Sequence, residues 1–159
     1  MKLAIDIALA RPADARAIAL LSREVIEAGL AWAWTPARVL RAMAAPDINV
    51  IVAREAGLRH PVGFAIMSYG DGADDAEAHL QLFAVVPARR RRGIGRALLD
   101  WLELTARTAG IGVIRLETRA SNDAAQAFYR AHGYVEVRRL RGYYQGVEDA
   151  LRLAKDLRR

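Results

Sequence analysis

The run from Leu80 to Leu99, LQLFAVVPARRRRGIGRALL, constrains the fold more than any other part of the chain. An apolar, β-rich segment ends at Val86-Pro87 and four arginines follow. Gly93-Ile94-Gly95 then opens a stretch whose apolar positions, Ile94, Ala97, Leu98, Trp101 and Leu102, recur at helical spacing opposite Arg96, Asp100, Glu103 and Arg107. The order is strand, turn, helix start. The first amides of such a helix lack intrahelical acceptors and carry the positive end of the macrodipole. Two glycines let a ligand approach the backbone, and Arg89 to Arg92 add charge. A phosphate or pyrophosphate suits that position.

What the stretch lacks narrows the ligand. A Walker loop needs Lys followed by Ser or Thr after its last glycine, and Arg96-Ala97 stand there instead. The dinucleotide fingerprint needs a third small residue where Leu98 stands, and no βαβ repeat of suitable length surrounds it. The bland alternative is a solvated basic turn leading into a surface helix; the strand before it and the clustered arginines favour a ligand.

A chain of 159 residues fits one domain, taken here as 1–159, and can bury a substantial core. The absence of cysteine excludes a disulfide framework, a thiol nucleophile and a thiolate metal site. Three scattered histidines suggest no metal centre. The opening MKLAIDIALA is too short and too interrupted by Asp6 and Arg11-Pro12 for a signal peptide or a membrane span, so the expectation is a cytoplasmic protein without membrane attachment. The formal charge of +6 raises the question of nucleic acid. However, the basic residues are almost all arginine, with only Lys2 and Lys155 as lysines, and they gather on no periodic face with interleaved aromatics. Nucleic-acid binding is not the expected function.

The expected elements run as follows. A first strand covers about Leu3 to Ala8. A helix begins at Pro12, carries Ile18, Leu21 and Val25 on one face and stops at Gly29. Thr35 caps a short helix through Met43. Strands at Asn49 to Ala56 and Pro61 to Tyr69 flank a turn at Gly57 to His60, and an acidic turn, Gly70 to Glu77, leads into a strand at Ala78 to Val85. The glycine-led helix stops at Gly110 and a strand follows at Val113 to Thr118. A helix capped by Ser121, Asn122 and Asp123 ends at Gly133. Tyr134 to Leu140 and Asp149 to Asp156 are the last strands, joined through Arg141 to Gly146. This is a mixed α/β sheet, antiparallel in its first half, with a parallel pair around the central helix.

Two local patterns then coincide: Arg90-x-x-Gly93-x-Gly95 after a strand ending in Val85, and Asn122-x-x-Ala125-x-x-Phe128-Tyr129 followed by Gly133-Tyr134. Together they resemble the GNAT superfamily of acetyl-coenzyme A dependent N-acetyltransferases. Within it, Leu116 to Asn122 (LETRASN), with Arg141-Gly142-Tyr143-Tyr144 and Glu148-Asp149-Ala150, are most similar to the RimI-type ribosomal-protein alanine acetyltransferases. The resemblance implies an α/β GNAT fold: a mixed, mostly antiparallel sheet of about seven strands with a splayed central parallel pair and about four helices. It implies acetyl-CoA as cosubstrate and no metal. The pantetheine arm would pair with the backbone of Phe83, Ala84 and Val85, and Val85 N–H would polarise the thioester carbonyl. The amides of Arg91, Arg92, Gly93, Ile94, Gly95 and Arg96 would cradle the pyrophosphate behind the motif residue Arg90, and Asn122 would touch the coenzyme arm.

By the same resemblance Glu117 is the general base, acting through water, and Tyr129 the acid that protonates the departing sulfur. The bland readings are a strand-end carboxylate paired with Arg115 or Arg119, and a tyrosine packed in the core. His79 is a second candidate base, since histidine suits proton transfer near neutrality; Glu77 adjoins the acidic turn and is a lesser one. The acceptor is a primary amine. An α-amine is favoured over lysine because at neutral pH a lysine costs about 3.5 kcal/mol more to deprotonate. In the resembled enzymes the loop holding Tyr143 and Tyr144 covers the acceptor peptide; Trp32 and Trp34 would form the opposite wall. GLAWAWTP, residues 29–36, differs from the phenylalanine-proline-tryptophan-serine stretch of RimI-type enzymes. A small-molecule amine acetyltransferase and a non-catalytic coenzyme A sensor therefore stay open beside a protein N-terminal acetyltransferase, and a homodimer stays open as the assembly.

Overall fold

Period-two alternation and β-branched residues set the strands; the computed structural model describes residues 4–70 and 76–158. The first strand, β1 (Ile5–Leu9), begins two residues later than expected, and Leu3 lies outside the described residues. Pro12–Asp14 make a 3-10 turn closed by the Asp14 carboxylate, which accepts from the Arg11 amide at 2.9 Å, and α1 (Ala15–Leu21) follows. Its last turn widens to π geometry over Ser22–Ile26, so the helical stretch ends before the expected Gly29, which takes a left-handed φ of 79° in the next turn. Buried Glu27 explains the widening: its amide donates to the Ser22 carbonyl at 2.8 Å, and its Oε2 accepts from the Ser22 hydroxyl at 2.8 Å. Thr35 caps α2 (Pro36–Ala44) as expected, its side chain accepting from the Arg38 amide.

Next come β2 (Ile48–Glu55), β3 (Gly63–Tyr69) and β4 (Glu77–Val85), each antiparallel to its neighbour. The acidic turn expected at Gly70 to Glu77 falls largely on residues 71–75, outside the described residues. Then follow α3 (Ile94–Thr108), β5 (Val113–Arg119), α4 (Asp123–Ala131), β6 (Val135–Tyr144) and β7 (Glu148–Asp156). The extent of β6 corrects the sequence reading. Tyr143 and Tyr144, expected in a loop from Arg141 to Gly146, extend the strand instead, with Tyr144 registered against Glu148. Aromatic side chains favour a pleated surface, and left-handed backbones at Gln145 and Gly146 let the reversal fit into the few residues that remain.

Among the described residues the strands form one sheet in the order β1-β2-β3-β4-β5-β7-β6, in which only β4 and β5 pair in parallel. This is the mixed, mostly antiparallel seven-stranded sheet with a central parallel pair that the resemblance implies. One face packs on α3 and α4 through Leu98, Leu102, Ile114, Leu116 and Tyr134; the other packs on α1 and α2 through Ile18, Val39, Val52, Phe64 and Ile66. Among the described residues no helix is long and apolar enough to cross a membrane.

Two features of the middle of the sheet position the site. The parallel register of β4 and β5 runs from Glu77↔Val113 to Leu80↔Leu116 and stops there, while β4 stays paired to β3 up to Val85 and β5 to β7 up to Arg119. The two strands therefore separate beyond Leu80. At that point β4 carries a bulge: Leu80 faces Met67 and Leu82 faces Ile66, so Gln81 is extra. A bulge bends its strand and changes which face the following side chains take. Accordingly, Ala78 and Leu80 join the α3/α4 core with Phe83 and Val85, while Leu82 and Ala84 join the α1/α2 core.

Candidate active site

At the start of α3 the backbone is shaped for an anion. Arg91 and Gly93 both take left-handed φ, 64° and 83°, a conformation that gathers successive N–H groups around a concavity. The first intrahelical bond runs from the Ala97 amide to the Gly93 carbonyl at 3.0 Å, so the amides before Ala97 in this turn lack intrahelical acceptors. A Cβ on Gly93 would meet nothing within 4 Å, which leaves the approach open. Gly95 differs. A Cβ there would lie 3.2 Å from the Phe128 ring, so this glycine allows α3 to pack against α4. Not all the arginines are loose. Arg89 donates to buried Glu55 at 2.7 Å and Arg92 lies 3.9 Å from the same carboxylate, whereas Arg90, Arg91 and Arg96 reach toward solvent.

The opened seam exposes backbone too. Val86 N–H donates to the Val62 carbonyl on the β3 side at 2.8 Å. Because successive amides of a strand alternate in direction, Val85 and Phe83 face the gap beside β5, whereas Ala84 faces β3. The structure thus leaves two of the three expected coenzyme-pairing residues open.

Across the seam Glu117 is the centre of a side-chain cluster. Its side chain is 4% exposed, and its Oε1 lies 2.5 Å from His79 Nε2 and accepts from the Tyr143 hydroxyl at 3.1 Å. Its Oε2 accepts from Arg152 Nε at 2.9 Å, with Arg115 Nε at 3.9 Å. Burial pushes the carboxyl up, but the hydrogen bonds and positive charge of His79 and Arg152 outweigh it and hold the carboxyl at about 2. The two candidate bases are therefore one hydrogen-bonded pair. Glu77 is engaged with Arg115 at 3.0 Å, and Arg119 turns away from Glu117 to the Ile26 and Ala28 carbonyls.

Tyr129 reaches the seam from the other face. It is buried on α4, edge-on to Phe83, Phe128 and Tyr134 at centroid distances of 5.9, 5.4 and 5.7 Å. Gln126, one turn earlier, fixes the helix by donating to the Arg119 and Ala120 carbonyls at the end of β5. Burial, with a smaller effect from Tyr144, raises the Tyr129 phenol, so it keeps its proton at neutral pH. Asn122 caps α4 by accepting from the Ala125 amide at 3.0 Å.

The remaining predicted residues divide. Tyr143 joins the Glu117 cluster and stacks edge-on with Tyr144 at 5.0 Å. Trp34 is buried in the α1/α2 core, and Trp32, donating to the Ala19 carbonyl, lines a shallow cavity of about 460 Å³ with Arg16, Leu20, Arg23 and Pro36. Sequence reasoning missed Arg152 and Glu27. Arg152, between Leu151 and Leu153, reads along the chain as an ordinary polar position of an alternating strand, and Glu27, whose Oε1 accepts the Ala33 and Trp34 amides, likewise offers no signal.

A family model described as the acetyltransferase (GNAT) family matches residues 7–134. The N-alpha-acetyltransferase RimI of Mycobacterium tuberculosis is 39% identical over 112 residues, 70% of this chain and 68% of that protein. The [ribosomal protein bS18]-alanine N-acetyltransferase of Salmonella typhimurium is 46% identical over 81 residues, 49% of this chain and 55% of that protein, so that match spans little more than half of the relative. Among solved structures, the ribosomal-protein-S18-alanine N-acetyltransferase of Escherichia coli superposes with a TM-score of 0.79 at 28% identity, covering 97% of this chain and 94% of that one.

Proposed function

This chain belongs to the GNAT acetyltransferase family, and from that premise we propose that it moves the acetyl group of acetyl-coenzyme A to the α-amine of a protein or peptide N-terminus. It is an N-acetyltransferase, and the donor is that of its family. The observation that carries the reading is the opened β4–β5 seam, with the Glu117–His79 pair on one face, Tyr129 on the other and the left-handed turn before α3 alongside. The relatives named for N-terminal α-amines support the choice of acceptor.

The positions of the residues support the following roles. The amides around Gly93 hold the donor's phosphates, and Phe83 and Val85 offer main-chain groups to its arm. Val85 N–H stabilises the charge that develops on the thioester oxygen. As the amine nitrogen bonds to the acetyl carbon, the Glu117–His79 pair takes the amine's proton. The carbon–sulfur bond breaks and Tyr129 gives its proton to the thiolate. An α-amine, with an ordinary pKa of about 7.7–8.0, gives up its proton near neutrality more readily than a lysine at about 10.4.

A thiol-release assay tests the reading. Peptides with a free N-terminus should turn over, while the same peptides carrying a blocked N-terminus and a free lysine should not. Turnover confined to small amines would overturn it.

A further inference from the structure

Gln145 stands two residues beyond Tyr143, whose hydroxyl reaches Glu117, and holds a left-handed backbone with φ of 55° beside left-handed Gly146. From this turn its exposed side chain crosses to the segment that follows α1. Its Oε1 accepts from the Ala31 amide at 2.9 Å and its Nε2 donates to the Ala31 carbonyl at 3.0 Å. A residue giving both its N–H and its C=O to one partner is making the hydrogen-bond pattern of an adjacent extended strand. The carboxamide imitates the N–H and C=O of one residue on such a strand.

The Ala31 edge does not depend on Gln145 for its place. Arg119, two residues past Glu117, donates to the Ile26 and Ala28 carbonyls, each at 2.7 Å, and Glu27 accepts the Ala33 and Trp34 amides at 2.7 and 3.2 Å. The segment is thus fastened on both sides of Ala31, between two groups that the glutamine does not touch. What Gln145 covers is a pre-positioned main-chain donor and acceptor flanking the Glu117 cluster.

We propose that the Ala31 backbone is a docking edge for the main chain of the acceptor peptide, and that Gln145 occupies this edge as a stand-in until a peptide displaces it. The inference rests on the peptide-acceptor reading above and adds to it a discrimination between acceptors. An extended polypeptide replaces both hydrogen bonds with the N–H and C=O of one of its residues. A small amine without a peptide group cannot, and leaves the glutamine in place.

The test compares wild type with Gln145→Asn, which keeps an amide, tolerates a left-handed backbone and is too short to span to Ala31. A free N-terminal peptide and a small primary amine serve as acceptors. The variant should lower the peptide KM roughly threefold to tenfold, the scale of one or two exposed hydrogen bonds no longer broken on binding. The KM values for the small amine and for acetyl-CoA should stay within about twofold on the same scale. In the wild type, peptide addition should move the Gln145 side-chain amide resonances toward those of a solvent-exposed glutamine. An unchanged or raised peptide KM in the folded variant, or resonances unmoved by saturating peptide, overturns the stand-in while leaving peptide acetylation intact. If the wild type acetylates small amines alone, the functional reading fails and the stand-in falls with it.

Discussion

At the start of α3 the groups offered to a ligand are backbone amides from consecutive residues, whereas around Glu117 they are side chains from β4, β6 and β7 that stand 26 to 38 positions from it along the chain. The first region owes its geometry to two left-handed residues and a helix end, and its side chains are largely peripheral: Arg96, for example, is 75% exposed and only 3.9 Å from Asp100. The second owes everything to its side chains, each held by the others. A backbone site tolerates side-chain changes until one alters φ or brings in the wrong charge. A side-chain cluster responds as a unit.

The largest expected effects test that coupling. Glu117→Gln and His79→Ala should each lower the single-turnover rate by about 10³-fold, within the range for general bases, and the double variant should lower it little further. Multiplying losses would show that the two act independently and would break the contrast. Tyr129→Phe should reduce kcat by about 10²-fold with coenzyme affinity retained, since the ring packing survives and only the proton is lost. Unchanged turnover in a chemistry-limited assay removes Tyr129 from the reaction.

At the helix start, Gly93→Asp should raise the acetyl-CoA Kd by at least about tenfold, from a negative charge among the amides proposed to hold the phosphates. Gly110→Asp is the control, because Gly110 has a similar φ of 81° and the same open surroundings at the far end of α3, and it should leave binding unchanged. Arg96→Ala should change Kd by less than about threefold, as expected of an exposed charge. Titration calorimetry reads all three, and an Arg96→Ala effect as large as that of Gly93→Asp would show that side chains, not amides, hold the phosphates.

The smallest signal is a difference of differences in stability. The Glu117 carboxyl lies near 2 in the fold against an ordinary 4.5, so the stability it lends is complete above about pH 4.5 and is lost as pH falls toward 2. In that window wild-type Glu117 becomes a neutral group resembling glutamine. The Tm gap between wild type and Glu117→Gln should therefore narrow as pH is lowered; a constant gap would show that its charge adds nothing to the cluster.

Legibility in the sequence follows the same division. The strand, arginine turn and glycine start at Leu80 to Leu99 can be read because each signal acts within one or two turns of chain, and Thr35 and Asn122 are recognisable as caps for the same reason. Glu117, His79 and Tyr143 each stand out as candidates, but nothing along the chain joins them, and Arg152 escapes notice because its role exists only where β7 lies beside β5. The glycine pair suggests clearance for a ligand at Gly95, whereas the approach of Phe128 from α4 shows that Gly95 clears a helix contact.

By itself the sequence determined the order of elements, the glycine-led start of α3 behind its arginine turn and the chemical types available for proton transfer, since spacing, capping and left-handed glycines are local properties. Only the tertiary structure decided that β4 and β5 part after Leu80↔Leu116, that the extra residue Gln81 turns Phe83 toward Tyr129 while His79 faces Glu117, and that one carboxylate binds His79, Tyr143 and Arg152 together. Strand register and face depend on which neighbours pair across the sheet. A single inserted residue reverses the side to which every later side chain points, and no spacing along one strand encodes that choice.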